Sequence, residues 1–521
     1  MPAPYIKSVL EDQSTRVTSS NGIIAGLVIE AKKGPINKPV LVTSQTNLLS
    51  RYTPGDKIEI GWDQAYYAGY YYLRDSNRLW VVRCAKDAKY GGIRVLKDGT
   101  TKPLEEGLVN PELHEAEDNE LFMLYGESQG LFNDDISIKI DKDATGNIEN
   151  AFTIFVYYKK LLVETHLVSR VKDQKDGFGN NIYIEDYLEN SSNYIRCVDN
   201  ILEDEKTLPQ SITSLSNLGG GSDGTACTDV EKIAALKKLA NMQEVSCNLI
   251  IDGGYTTEAY QRAIDEVCKS RKEECQGILS TPYSAETSND RINALKTYRN
   301  STLNLNSVNC SLYTPHQRVY DEFNDRYIHV APSCFVAGAI SKAAYSQGYQ
   351  WPAAGFNRGI INTIEPSVIF EEGEVDELSE NQINTIIKDS GYGNVIYDQL
   401  TLTPKACDTQ EQSITLMINL GLRPALRTFL KPYLFELNDE QTRGNIVSKI
   451  ETFVDTKIAD RSIYDGYVVC NETNNSPQDI QDKKLNVWLY IKPTQPAKFI
   501  TQKVIVTPYS VDFESLLSVQ Q

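Results

Sequence analysis

Histidine is scarce: only His114, His166, His316 and His329 occur in 521 residues, and none falls in H-x-x-x-H or H-E-x-x-H spacing. The usual zinc-hydrolase signature is therefore excluded. A basic surplus is also missing, with 52 Lys and Arg against 70 Asp and Glu and a net charge of −18. Phosphate backbones are held by Lys and Arg through counterion release, so direct nucleic-acid binding is not expected. No run of 18 apolar residues occurs, and “MPAPYIKSVLEDQ” has neither a charged leader nor an apolar h-region, so neither membrane insertion nor a signal peptide is expected. The ten cysteines are scattered singly, with no C-x-x-C pair to clamp zinc or run thiol exchange, and buried reduced thiols are expected.

What is present is a chain too long for one core, since cores stop growing at roughly 250 to 300 residues. Tyrosine is frequent at 30 residues, including “YYAGYYY” from Tyr66 to Tyr72, which suits either interfaces or an ordinary core. Residues 21–88 read as strand, G-P turn, strand, a tyrosine-rich helix and the short strand “RLWVVRCA”. Residues 89–206 alternate as half-buried strands do, as in “DISIKID” and “AFTIFVYYKKLLVETHLV”, and predict a β-sandwich. Residues 207–375 alternate helices with buried strands such as “VSCNLIID” and “CQGILST”, the pattern of a parallel sheet with helices on its faces. Residues 376–498 contain a helix starting in a capping-box-like Asn438 and Gln441, with Val447, Ile450, Val454 and Ile458 on one face, and then strand-like runs.

Three features invite chemistry. Gly219, Gly221 and Gly224 in “NLGGGSDGT” match G-x-G-x-x-G, but the polar “LPQSITSLSN” precedes them where a buried strand is needed, and Asp223 puts negative charge into an anion cradle. Thr225 and Ala226 stand where a Walker motif needs Lys and Ser or Thr. The stretch therefore reads as a flexible joint between sandwich and α/β domain, tolerant of Gly221→Ala. “DKDATGNIE” begins like a calcium loop, yet Phe152 occupies the position of the bidentate Glu, which favours a hairpin turn. Asp252, closing a strand before “GGY”, is the most suggestive acid, with a turn or capping aspartate as the plainer reading. No cofactor, metal or catalytic residue is assigned.

At residues 329–359, “HVAPSCFVAGAISKAAYSQGYQWPAAGFNRG” resembles the contractile bacteriophage tail sheath proteins, whose chains carry “P-S-x-x-V-A-G” followed by “P-A-G”. “IAGLVIEAKKGPINKPVLVTS”, “SSNYIRCVDN”, “LGGGSDGT” and the long run from “LRPALRTFL” to “IKPTQPAKFI” resemble further family segments in the family's order. The resemblance implies a multidomain α/β plus β fold. Its parts are an N-terminal arm (1–20), a segment packing with the C-terminal domain (21–88), an inserted β-sandwich (89–206), an inactive subtilisin-like α/β domain (207–375), an α+β C-terminal domain (376–498) and a C-terminal arm (499–521). Ser333 follows a proline with no identifiable base, in keeping with an inactive scaffold.

The implied function is structural: a subunit that polymerises as a helical homo-oligomer around a tail tube, in a metastable extended state, and contracts to drive the tube through a host envelope. Implied partners are the tail tube protein and the baseplate and tail terminator proteins; the implied place is the virion tail, assembled in the host cytoplasm. The arms would add strands to neighbouring subunits through Tyr5, Ile6, Lys7, Ser8 and Val9 at one end and Ile500, Val504, Ile505 and Val506 at the other. Without the resemblance, the plainer reading of both segments is as edge strands of their own domain. Lys449, Lys457 and Asp460 are candidates for tube or neighbour contact, or simply a solvated helix face. A contractile bacteriocin or secretion machine is the alternative, with a subtilase-like or nucleotide-dependent enzyme and a glycan-binding adhesin as more distant readings.

Overall fold

“AGLVIE” and “LWVVRC” carry apolar side chains at nearly every position, the pattern of strands covered on both faces. In the computed structural model, which describes residues 22–59, 63–145, 148–404 and 406–504, they lie inside a parallel sheet. β1 (Ala25–Glu30), β2 (Pro39–Val42) and β3 (Leu79–Cys84) come first. β1 pairs in parallel with β3, from Ala25 opposite Leu79 to Glu30 opposite Cys84, and β2 flanks β3 antiparallel.

After Cys84 the chain builds a separate body from β4 (Gly92–Leu96), β5 (Thr101–Pro103), β6 (Glu120–Gly126), β7 (Ile136–Asp141), β8 (Ala151–Tyr158), β9 (Leu161–Ser169), β10 (Ile195–Asp199) and β11 (Ile212–Asn217). They form two four-stranded sheets, in the orders β10-β6-β4-β5 and β11-β7-β8-β9. Alternate residues of both sheets meet in a core of their own, where the Phe122 and Phe152 rings stack 5.8 Å apart. Buried Arg170 donates to Asp199 at 2.6 Å and to the carbonyls of Asn200, Asp204 and Thr207, pinning the loop after β10.

The chain then returns to the first layer with β12 (Leu249–Ile251), β13 (Gln276–Ser280) and β14 (Cys310–Thr314), followed by β15 (Gln317–Asp321), β16 (Arg326–Val330), β17 (Ile360–Ile361), β18 (Glu365–Pro366), β19 (Ile383–Asp389) and β20 (Gly393–Ile396). The resulting nine-stranded sheet runs β17-β20-β19-β14-β13-β12-β1-β3-β2. Its central strands, β19 to β3 in that order, are all parallel. The helices Gln64–Asp75 and Pro332–Ser346 pack together beside it. The tyrosine run belongs to this core: Tyr66, Tyr67, Tyr71 and Tyr72 are buried, and the Tyr67 hydroxyl donates to Asp321 at 2.9 Å.

The C-terminal part consists of a helical stretch ending in Arg423–Leu430, the helix Glu440–Ala459, and a hairpin of β21 (Ile463–Val469) and β22 (Trp488–Pro493). The long helix starts one residue later than expected: Asp439 is its N-cap and accepts from Thr442 N at 2.8 Å, while Asn438 donates to the Lys484 carbonyl.

Three expectations are corrected or refined. Residues 21–88 contribute to the central sheet, where β1 and β3 are interior strands because they are apolar on both faces. The boundaries also move, since β11 pairs with β7 and extends the sandwich past 206, while β19 and β20 keep the central sheet going past 376. The glycine stretch is not a loose joint. It runs antiparallel to residues 86–92 as a two-stranded neck, with Gly92 and Gly219 exchanging bonds of 2.9 and 3.0 Å, Lys89 and Ser222 bonds of 2.9 and 3.2 Å, and Thr225 N donating to Lys86 O at 2.9 Å. The expected arm residues Tyr5 to Val9, Ile505 and Val506 lie outside the described residues.

Gly224 has φ +74°, and a Cβ there would stand 1.9 Å from the Lys86 carbonyl oxygen; a Cβ on Gly221 would stand 2.6 Å from that of Gly130. Gly224→Ala is expected to destabilise the fold by at least about 1 kcal/mol, measured by urea unfolding. Gly177→Ala, in an exposed turn with nothing within 4 Å of the new methyl group, should be near neutral.

Candidate functional site

The G-x-G-x-x-G stretch can be tested first as a phosphate cradle. Such a cradle needs free backbone N–H groups at the start of a helix. Here Gly219 N and Ser222 N are paired across the neck, and Gly221 N donates to Asp134 Oδ1 at 2.9 Å. Asp223 accepts from Leu131 N at 2.9 Å and pairs with Lys32 at 3.0 Å. The donors are committed within the chain, and the next helix, Asp229–Lys237, starts only after its own Thr228 and Glu231 capping box.

Asp252 and Ser333, which the sequence singled out separately, meet at the C-terminal end of β12. Ser333 Oγ donates to Asp252 Oδ1 at 2.6 Å, and the carboxylate also accepts from Ser280 Oγ at 3.0 Å, Ser280 N at 2.6 Å, Gln261 Nε2 at 3.0 Å and Gly254 N at 3.2 Å. All three side chains around this carboxylate are buried, and burial pushes its pKa up. A serine nucleophile requires a base between it and the acid. None of the four histidines serves: His316 Nδ1 is 2.9 Å from Glu286, His329 faces Tyr283, His114 pairs with Glu120 and His166 with Glu164. The Asp–Ser contact ties strand ends to the helix Pro332–Ser346.

A second carboxylate, Glu286, carried no sequence signal. It is fully buried and accepts from Thr281 Oγ1 at 2.6 Å, His316 N and Nδ1 at 2.9 Å each, Thr314 Oγ1 at 3.3 Å and Ser367 Oγ at 3.1 Å. It anchors the small sheet β16-β15-β18 to the ends of β13 and β14. Only the convergence of residues far apart in the chain reveals it.

The surface that remains open is the C-terminal hairpin. Tyr467 lies opposite Tyr490 and Val469 opposite Trp488, and the aromatic side chains of this face are about half exposed or more, while the other face lies on the helix Glu440–Ala459. Among the described residues, β21 and β22 pair only with each other, so each keeps an unpaired edge. Beyond β22 the chain is held by Lys498, whose ammonium sits 2.8 Å from Asp398 and 3.0 Å from Glu411; Ile500 and Val504 beyond it are exposed. Of the candidate contact residues, Lys457 and Asp460 pair with each other at 2.7 Å, and the Lys449 ammonium stands 5.2 Å from the Tyr433 ring centroid.

Ser333→Ala removes one donor to a buried carboxylate and is expected to cost about 1–3 kcal/mol in urea unfolding. Casein hydrolysis should stay at background for both proteins. Cleavage by the wild type that Ser333→Ala abolishes would reveal a working nucleophile instead.

Residues 228–402 match the family model of the phage tail sheath protein central domain. The tail sheath protein of Vibrio phage KVP40 is 30% identical over 393 residues, covering 71% of this chain and 57% of the relative. The chain thus spans little more than half the length of the curated relatives it matches. The crystal structure of a sheath tail protein from Listeria innocua superposes with a TM-score of 0.58 at 12% identity, covering 91% of this chain and 96% of that one. The contracted sheath complex of an extracellular contractile injection system gives 0.54 at 11%, covering 99% and 98%. Asp252 and Ser333 both fall within the family match, and residues 228–402 are a phage tail sheath protein central domain.

Proposed function

We propose that this chain is the structural subunit of a contractile tail sheath. It polymerises as a helix around a tail tube in a metastable extended state and contracts to drive the tube through the host envelope for genome delivery. The observation that carries the assembly step is the hairpin β21–β22, whose two strand edges are unpaired among the described residues and whose outer face is aromatic. Strands from neighbouring subunits would satisfy those edges, at roughly 1 kcal/mol net per backbone bond. The terminal arms, with Tyr5 to Val9 at one end and Ile500, Val504, Ile505 and Val506 at the other, are the strands supplied.

The role is non-enzymatic on this reading. The energy of contraction resides in subunit contacts that differ between two packings, and the committed amides of the glycine stretch accord with a process that hydrolyses no nucleotide. The central domain is a subtilisin-like scaffold in which the acid and serine are retained as a structural link and no histidine joins them. Partners are further copies of the chain, the tail tube, baseplate and terminator proteins. Lys449, Lys457 and Asp460 on the long helix are offered to the tube or a neighbour. The place of action is the virion tail, after assembly in the host cytoplasm. The sheath of a contractile injection system is the second reading, favoured by the shared fold; the 30% identity to a phage protein favours the first.

Electron microscopy of the purified chain should show striated cylinders or hollow tubes. Deleting residues 1–18 should yield folded monomers that form none. Normal polymerisation by the truncated chain would remove the arm model, and a wild type that stays strictly monomeric would count against the sheath reading itself.

A further inference from the structure

Cys84 closes β3 where the chain leaves the central sheet, and Cys227 lies where it comes back. The neck between them pairs Lys86 with Thr225, so stepping two residues outward on each strand sets Cys84 opposite Cys227. The two sulfurs and a Glu30 carboxylate oxygen all lie within 4.8 Å of one another. Both cysteines are free thiols; Cys84 is buried and Cys227 half-buried.

Two chemistries suit such a group, a soft metal ion or a disulfide. The surroundings favour the second. Glu30 is already engaged at both oxygens: Oε1 lies 2.9 Å from the Lys232 ammonium and Oε2 accepts from Cys227 N at 3.2 Å. The ammonium also stands 4.0 Å from the Tyr255 ring centroid. A cation is therefore in place beside the carboxylate, while the Cys84 thiol donates to the Ile29 carbonyl at 3.4 Å and keeps Cys227 Sγ beside it. The neighbouring Cys227 sulfur and burial push the Cys84 thiol up, and half-buried Cys227 is the sulfur that an oxidant from solvent reaches first.

We propose that Cys84 and Cys227 form an oxidation site, closing to a disulfide that staples the neck of the inserted sandwich. The oxidant is a low-molecular-weight disulfide, RSSR. Cys227 thiolate attacks one of its sulfurs and expels RS⁻, which takes up the proton that Cys227 gave to solvent. Cys84 then attacks Cys227 Sγ in the mixed disulfide and expels the second RS⁻, which takes the Cys84 proton. Two thiols lose two electrons in all, and one RSSR becomes two RSH. The sulfurs need only close to about 2.05 Å by side-chain rotation and a small shift of the neck.

The test treats the full-length chain with excess hydroxyethyl disulfide, alkylates the remaining thiols, and maps peptides without reduction. The expected product joins the Cys84 and Cys227 peptides, weighs two hydrogens less than the reduced pair, and reverts with dithiothreitol. Hydrogen exchange at the Ser222 and Thr225 amides should slow at least tenfold in the oxidised chain, and Cys227→Ser should show neither effect. Recovery of both cysteines as alkylated thiols or as separate mixed disulfides would overturn the proposal. So would an unchanged exchange rate in the linked chain, or one equivalent of tightly bound zinc that blocks the reaction with hydroxyethyl disulfide.

Discussion

The pairing of β1 with β12 is the constraint on which the rest of this molecule depends. Ala25 lies opposite Leu249 and Gly26 opposite Ile250, and Ile24 N donates to Asn248 Oδ1, 224 positions further along the chain. Without that junction β1, β2 and β3 would be a small sheet with one apolar edge, and β12 onward another. The fit is close: a Cβ on Gly26 would stand 2.8 Å from Leu239 and 2.9 Å from the Cys247 sulfur. A backbone approach this tight explains why glycine occupies the middle of a buried strand.

Buried carboxylates reinforce the same layer. Asp252 and Glu286 are each surrounded by donors from several elements, and each sits at strand ends where loops would otherwise be free. A buried charge is tolerable only when so fully hydrogen-bonded, and removing one donor leaves it uncompensated. The result is a body that resists deformation. The C-terminal hairpin is different in kind, a two-stranded sheet resting on one helix, and two strands alone are marginally stable. A rigid body with an incomplete sheet at one side suits the proposed assembly, in which subunits move as units while their linkers stay paired.

Much of this was legible locally. The alternation in “DISIKID” and “AFTIFVYY” marks strands with one buried face, and the helix and strand succession after Thr228 marks a parallel sheet, because both patterns are read within a few residues. The long helix was found one residue from its true cap. What stayed hidden depends on residues distant in sequence. “AGLVIE” shows that it is covered on both faces, but not that β12 lies beside it. The glycines of “NLGGGSDGT” look like flexibility until Gly92 and Lys89 are brought opposite them. Asp252 and Ser333 stand out singly, yet only the fold shows that the serine hydroxyl donates to the carboxylate. Spacing rules that search for C-x-x-C cannot find Cys84 and Cys227, which meet across an entire domain.

The neck has a further consequence, for evolution. Both chain crossings between the central sheet and the sandwich pass through one short ladder, residues 86–92 against 219–225. The distance between the two crossings is fixed by that ladder, whatever lies beyond it. An inserted module of another size or shape could be exchanged there without altering the register of a single central strand. The inserted sandwich is thus a module whose exchange at the neck leaves the sheet's own strand order as it is.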